Sequence, residues 1–189
     1  MKALSPSAEK ICAQALVHFA ERGYDASSLS EIAEACGIRK ASLYAHFSGK
    51  DEIYAAAFER ALTEEREHVA RCFQVNAGLP GDTYLEVLQA RYAGQPSLRF
   101  LLRTVFFPPA PLRDVITKGF EAHLDDLRGH FTKQCAGIAA PDQRDELAEV
   151  YLAIVDSLHV ELFYGNAEVY NRRLVAVRRL LALGIAHGK

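Results

Sequence analysis

The stretch SSLSEIAEACGIRKASLYAHFSGK, residues 27–50, decides the reading of this chain. Ser28 and Glu31 form an S-x-x-E capping box, which satisfies free amides at the start of a short helix. Gly37, just after Cys36, supplies a left-handed stop. A second short helix is expected over 40–47, with Leu43 and Phe47 on its apolar side and Ser48-Gly49 breaking it from the helix that begins at Lys50. Two short helices joined across Gly37-Ile38-Arg39 have the dimensions of a helix-turn-helix, whose second helix enters the major groove of DNA. Leu43 and Phe47 are expected to pack on Ile32, Ala35 and Phe19, leaving Lys40, Ala41, Tyr44 and Ala45 facing outward. The alanines allow close approach, and their methyls suit the thymine methyl.

Outward from this stretch the periodicity is helical almost everywhere. Ser5 and Pro6 open a helix in which Cys12, Ala15, Leu16 and Phe19 recur at i, i+3, i+4 and i+7, and Gly23 closes it. A long helix runs from Lys50 to about residue 75, and later ones are expected near 83–93, 97–107, 111–135, 142–164 and 167–186. Pro96 starts one and Pro108-Pro109 stops it. The expected class is all-α with about nine helices: a helix-turn-helix part over 1–49 and a second helical part over 50–189, with helix 50–75 as connector.

Half of the 189 residues are hydrophobic and 24% are charged, the balance of a folded globular chain. Net charge is −2, yet residues 1–50 carry six basic and five acidic side chains while the rest is net acidic. Such a chain binds nucleic acid if its cations cluster where phosphate lies. The four cysteines, at 12, 36, 72 and 135, show no C-x-x-C pair and read as buried thiols of a reducing compartment. The start MKALSPSAEK lacks the apolar region of a signal peptide, and charges interrupt every apolar run well short of a membrane span. The expectation is a cytoplasmic protein without a membrane partner.

The stretch ALVHFAERGYDASSLSEIAEACGIRKASLYAHFSGKDEIYAAAFE, residues 15–59, resembles the tetracycline-repressor (TetR) family of bacterial transcription regulators. F-A-E-R-G-Y, the capping-box serine, E-I-A-E-A-C-G-I and S-L-Y-x-H-F followed by lysine agree together. The resemblance implies a three-helix DNA-binding head, a linking fourth helix, a ligand-binding body and a homodimer. Carried over by position, Lys40 and Ala41 fall where family members reach base edges, and Ser28, Ser42, Tyr44, His46 and Lys50 where they meet phosphates. Position 39 departs from the family's Ser or Thr: Arg39 has no acceptor with which to cap a helix, so it leaves the cap to water or reaches a phosphate or a guanine. Gly49 stands where a serine is usual.

In the remainder, the helix 142–164 is apolar on two sides, through Leu147, Tyr151, Ile154, Leu158 and Leu162 and through Leu152, Val155, His159 and Phe163. With Leu174, Val177, Leu181 and Gly184 of the last helix it is expected to form a four-helix bundle with a partner subunit, Leu158, Leu162, Leu174, Val177 and Leu181 lying in the interface. An apolar or amphipathic effector is expected among Phe100, Phe106, Phe107, Phe120, Tyr151 and Phe163, with His123, Asp156 and His159 as polar groups. His123, Asp126 and His130 share one helical face, but without a thiolate or an H-E-x-x-H pattern a solvated face is the better reading and no metal is expected. No cofactor is expected. Nor is catalysis, for the sequence has no G-x-S-x-G, Walker loop or dinucleotide fingerprint.

Overall fold

The computed structural model describes residues 4–75 and 78–187. Among them it shows nine α-helices and no strand: α1 (Pro6–Arg22), α2 (Leu29–Ala35), α3 (Lys40–Tyr44), α4 (Lys50–Gln74), α5 (Asp82–Gly94), α6 (Pro96–Phe106), α7 (Arg113–Gln134), α8 (Pro141–Tyr164) and α9 (Ala167–His187). Short 3-10 turns at Ala110–Leu112 and Cys135–Gly137 flank α7. The all-α expectation holds, and the punctuation behaves as read. Ser5 accepts a hydrogen bond from the amide of Ala8, and Pro6 and Pro96 occupy first turns. Gly23 adopts φ +78° behind α1.

The chain forms two compact units. One comprises the chain up to Glu65 together with Gln95–Phe120, so its core joins α1, α2, α3 and the start of α4 to α6. Phe19, Tyr54 and Phe100 are fully buried at its centre, with ring centroids 4.7 Å apart for Phe19 and Tyr54 and 5.0 Å for Tyr54 and Phe100. The Tyr54 and Thr104 hydroxyls share a hydrogen bond of 2.7 Å, which satisfies both inside this core. At Gly119 of α7 the ring of Phe58 leaves no room for a Cβ.

The other unit comprises Arg66–Gly94 and the chain from Glu121 onward. Leu88, Leu127, Phe131, Tyr151, Val155 and Leu158 are among its fully buried side chains. The turn before α5 is tied down by three helices. Tyr151 of α8 donates to the Gly81 carbonyl at 2.9 Å, and the Gly81 amide donates to Gln134 of α7 at 2.8 Å. Arg178 of α9 pairs with Asp82 and Glu86 of α5. All four cysteines are buried and none is in a disulfide among the described residues, and burial lifts the Cys12 and Cys135 thiols to about 11.

Candidate nucleic-acid interface

The site is assembled from α2 and α3. The expected capping box is present: the Glu31 amide donates to Ser28 Oγ at 3.2 Å, and the Ser28 amide to Glu31 Oε2 at 3.0 Å. The Ser28 hydroxyl also donates to that carboxylate at 2.8 Å, and these bonds hold the Glu31 carboxyl below its ordinary range. Arg22 reaches the same carboxylate at 2.7 Å, fastening the end of α1 to the start of α2.

α3 is shorter than expected, five residues ending at Tyr44 instead of a helix to Phe47. Its last turn tightens, with the His46 amide bonding to the Leu43 carbonyl three residues back. Leu43 and Phe47 are nevertheless buried beside Ile32 and Phe19. Ala35 is exposed, and Ala33 and Cys36, each one position after a residue of the predicted stripe, are buried with Ile32. Arg39, Lys40, Ala41, Ser42, Tyr44, Ala45 and His46 are all exposed, giving a continuous outer face of two cations, hydroxyls, an imidazole and small methyls. Tyr44 is 51% exposed, far more than a tyrosine held by core packing. Neither Arg39 nor Lys40 enters an ion pair with an acid among the described residues.

Lys50 differs from these. Its ammonium donates to the carbonyls of Tyr24 at 2.9 Å and Ser27 at 3.1 Å and sits 4.1 Å from the centre of the Tyr24 ring. The Tyr24 hydroxyl bonds to Asp51, so the lysine, the ring and the aspartate clamp the turn between α1 and α2 to the start of α4. That bond and partial burial push Tyr24 up to about 12, with burial the larger cause. Gly49 gives α4 no side-chain cap. Glu52 instead accepts from the Ser48 amide and hydroxyl at 2.6 and 2.7 Å, which lowers its carboxyl.

The residues expected to line one effector cavity are divided between the two units. In the first, Phe100 is closed core, Phe106 and Phe120 are half-buried, and Phe107 is 58% exposed. In the second, Tyr151 is fully buried and stacked on Phe131 with centroids 4.4 Å apart, Phe163 is half-buried beside Tyr164, and Asp156 is exposed. Phe100 and Tyr151 therefore serve as packing. His123 and His159 are buried, and the loss of hydration lowers them to about 4 and about 3, so both are neutral. One hollow of the second unit, of about 350 Å³, is lined by Arg66, Glu67, Val69, Ala70, His123, Asp126 and His130. Only His123 of the expected set reaches it. Arg66 pairs with Asp126 at 3.1 Å there. Burial of His123 also breaks the solvated face expected for His123, Asp126 and His130. No three His, Cys, Asp or Glu side chains among the described residues are grouped to hold a metal.

Of the five expected interface residues, two, Leu158 and Leu181, are turned into the chain itself and buried, and Leu162, Leu174 and Val177 are partly covered. The exposed apolar side chains of the same helices are Val150, Val160 and Tyr164 on α8 and Val175, Leu180 and Leu183 on α9. Two apolar stripes on α8 were legible, but both turn inward, and a third, less regular set faces out.

A helix-turn-helix that turns cations, hydroxyls and small side chains outward along its second helix has the geometry with which such units enter a major groove. Residues 11–57 match the family described as "Bacterial regulatory proteins, tetR family". Over 73 residues the chain is 34% identical to the biofilm operon icaADBC HTH-type negative transcriptional regulator IcaR of Staphylococcus epidermidis, covering 39% of this chain and 40% of that protein. Against IcaR of Staphylococcus aureus the identity is 48% over 46 residues, 24% of this chain and 25% of the relative. The match thus spans less than half the length of either curated relative. Among solved structures, a TetR transcriptional regulator from Chloroflexus aurantiacus superimposes with a TM-score of 0.74 at 21% identity, covering 93% of this chain and 94% of the other. A TetR-family regulator from Cytophaga hutchinsonii gives 0.73 at 18%, covering 96% and 97%. At these identities the likeness establishes a shared fold along nearly the whole chain. No helix among the described residues is long and apolar enough to cross a membrane.

Proposed function

We propose that the chain is a dimeric, cytoplasmic, ligand-responsive transcription regulator, a repressor that leaves its operator when a small apolar or amphipathic effector binds. The observation that carries the DNA-binding part is the exposed Arg39–His46 face, whose two cations have no acidic partner among the described residues. Lys40 and Ala41 are assigned to base edges, and Ser42, Tyr44 and His46 to phosphates, which fix register. Ser28 joins them only by giving up its bond to Glu31. The head is residues 1–49 and the body 50–189.

The partner surface is assigned to the exposed apolar side chains of α8 and α9, which a second copy would cover about a two-fold axis. The effector is assigned to the hollow beside His123, whose volume of about 350 Å³ suits a small molecule. α4 supplies both Lys50 of the head and Val69 and Ala70 of that hollow, so the coupling is placed along it. Linkage requires that operator DNA weaken effector binding by the factor with which effector weakens operator binding. The test is titration of a stabilising compound, found by thermal shift, against free and operator-bound protein. Unequal affinities are expected, and equal ones would exclude induction by that compound.

A further inference from the structure

Arg39 occupies the residue before the first turn of α3, in extended backbone with φ −76° and ψ 146°. That position ordinarily holds a side chain that accepts an amide of the first turn. Arginine has no acceptor, and none of its atoms caps α3. The five-residue recognition helix therefore starts without a side-chain cap. The side chain is exposed, forms no ion pair among the described residues, and has no part in the core beneath it. Nothing among the described residues explains an arginine here.

A partner outside the chain does. The first residues of a recognition helix are those that lie against base edges. Arg39 stands beside Lys40 and Ala41 at that end, while Ala41 and Ala45 keep the outer face shallow enough for close approach. The guanidinium fork fits the O6 and N7 acceptors of guanine bidentately, a match no other base pair offers in the major groove. Lys50, the other cation of the opening stretch, has its ammonium already engaged by two carbonyls, which leaves Arg39 and Lys40 as the ready cations of this face. We infer that Arg39 is a sequence-reading residue that selects a guanine at one fixed position of each operator half-site. This rests on the DNA-binding reading above and adds to it the residue and the base that set specificity at that position.

The test selects binding sites from a randomised duplex library with the full chain, then repeats the selection with Arg39→Ala, Arg39→Lys and Arg39→Ser. The wild type is expected to enrich guanine at one position per half-site. Arg39→Ala is expected to lose that preference there by roughly 5- to 150-fold, with the other positions unchanged. Arg39→Lys should keep part of it. Arg39→Ser serves as the structural control, since it restores a capping acceptor: it should raise the melting temperature and still lose the guanine. Retained guanine preference in the alanine and serine variants overturns the inference. So does a uniform loss of affinity across all sequences with a salt slope smaller by about one, the mark of a phosphate contact. A wild-type chain that enriches no sequence and binds no duplex would instead overturn the DNA-binding reading itself.

Discussion

Replacing Lys50 with methionine separates two roles that the same residue could have. In the free protein the ammonium makes two hydrogen bonds to carbonyls, at 2.9 and 3.1 Å, and lies 4.1 Å from the Tyr24 ring centre. A hydrogen bond involving a charged group contributes about 1.5–3 kcal/mol when desolvated, and an exposed cation–π contact about 0.5–1 kcal/mol. Lys50 is only half-buried, so water compensates much of this, and methionine keeps the apolar stem. The net loss expected is about 1–2 kcal/mol. Urea unfolding, followed by circular dichroism, should show a lower midpoint at unchanged slope. The slope of log affinity against log salt for operator DNA should stay the same, because in this account the ammonium neutralises no phosphate. An unchanged unfolding midpoint together with a salt slope smaller by about one would refute the clamp and return Lys50 to the phosphate role that the family resemblance implies.

Three further outcomes follow from the second unit. Gly81→Ala should cost about 3 kcal/mol in the same urea assay, since φ is +73° and a Cβ there would collide with the buried Tyr151 ring; a loss below about 0.5 kcal/mol would show that the ring yields. Val160→Glu with Leu180→Glu should give a folded monomer in sedimentation, because both side chains are exposed, whereas Leu158→Glu should unfold the chain by burying a charge in its own core. Retained dimers in the double variant would place the interface elsewhere. His159 is lowered to about 3 and His123 to about 4, below the unfolded value of about 6.5. The unfolded chain therefore binds more protons as pH falls, so the stability these neutral imidazoles preserve is complete above about pH 6.5 and is lost progressively toward pH 4 and below. His159→Phe should flatten that loss between pH 6.5 and about 4 in urea melts; an unchanged slope would mean that other groups set it.

What the sequence made legible was whatever is written locally. Helix starts and stops came from Ser5-Pro6, the Ser28–Glu31 box, Gly23 and Pro96, and each does in the structure what its chemistry dictates. The inward side of α3 was legible because Leu43 and Phe47 are large and four apart. The failures share one cause: periodicity shows that a stripe is apolar without showing what covers it. Leu158 and Leu181 face their own chain, and Phe100 fills the core beside Phe19 instead of lining a cavity. Ala35 and Ala33 are chemically identical, so only the helix's rotation about its axis decides which is buried. The Lys50 clamp depends on carbonyls 23 and 26 residues away, acceptors that every residue type carries and that no sequence pattern marks.

The central claim is that the outer face of α3 binds duplex DNA. Fluorescence anisotropy with a labelled fragment of the chain's own upstream DNA, at salt from about 50 to 200 mM, tests it directly when run on the wild type and on Lys40→Ala/Tyr44→Ala. The account predicts binding that weakens steeply with salt in the wild type. It further predicts a loss of roughly 1–3 kcal/mol for each substitution. The variant's melting temperature should be unchanged, since both side chains are exposed. Equal affinity of wild type and variant at every salt concentration would contradict it.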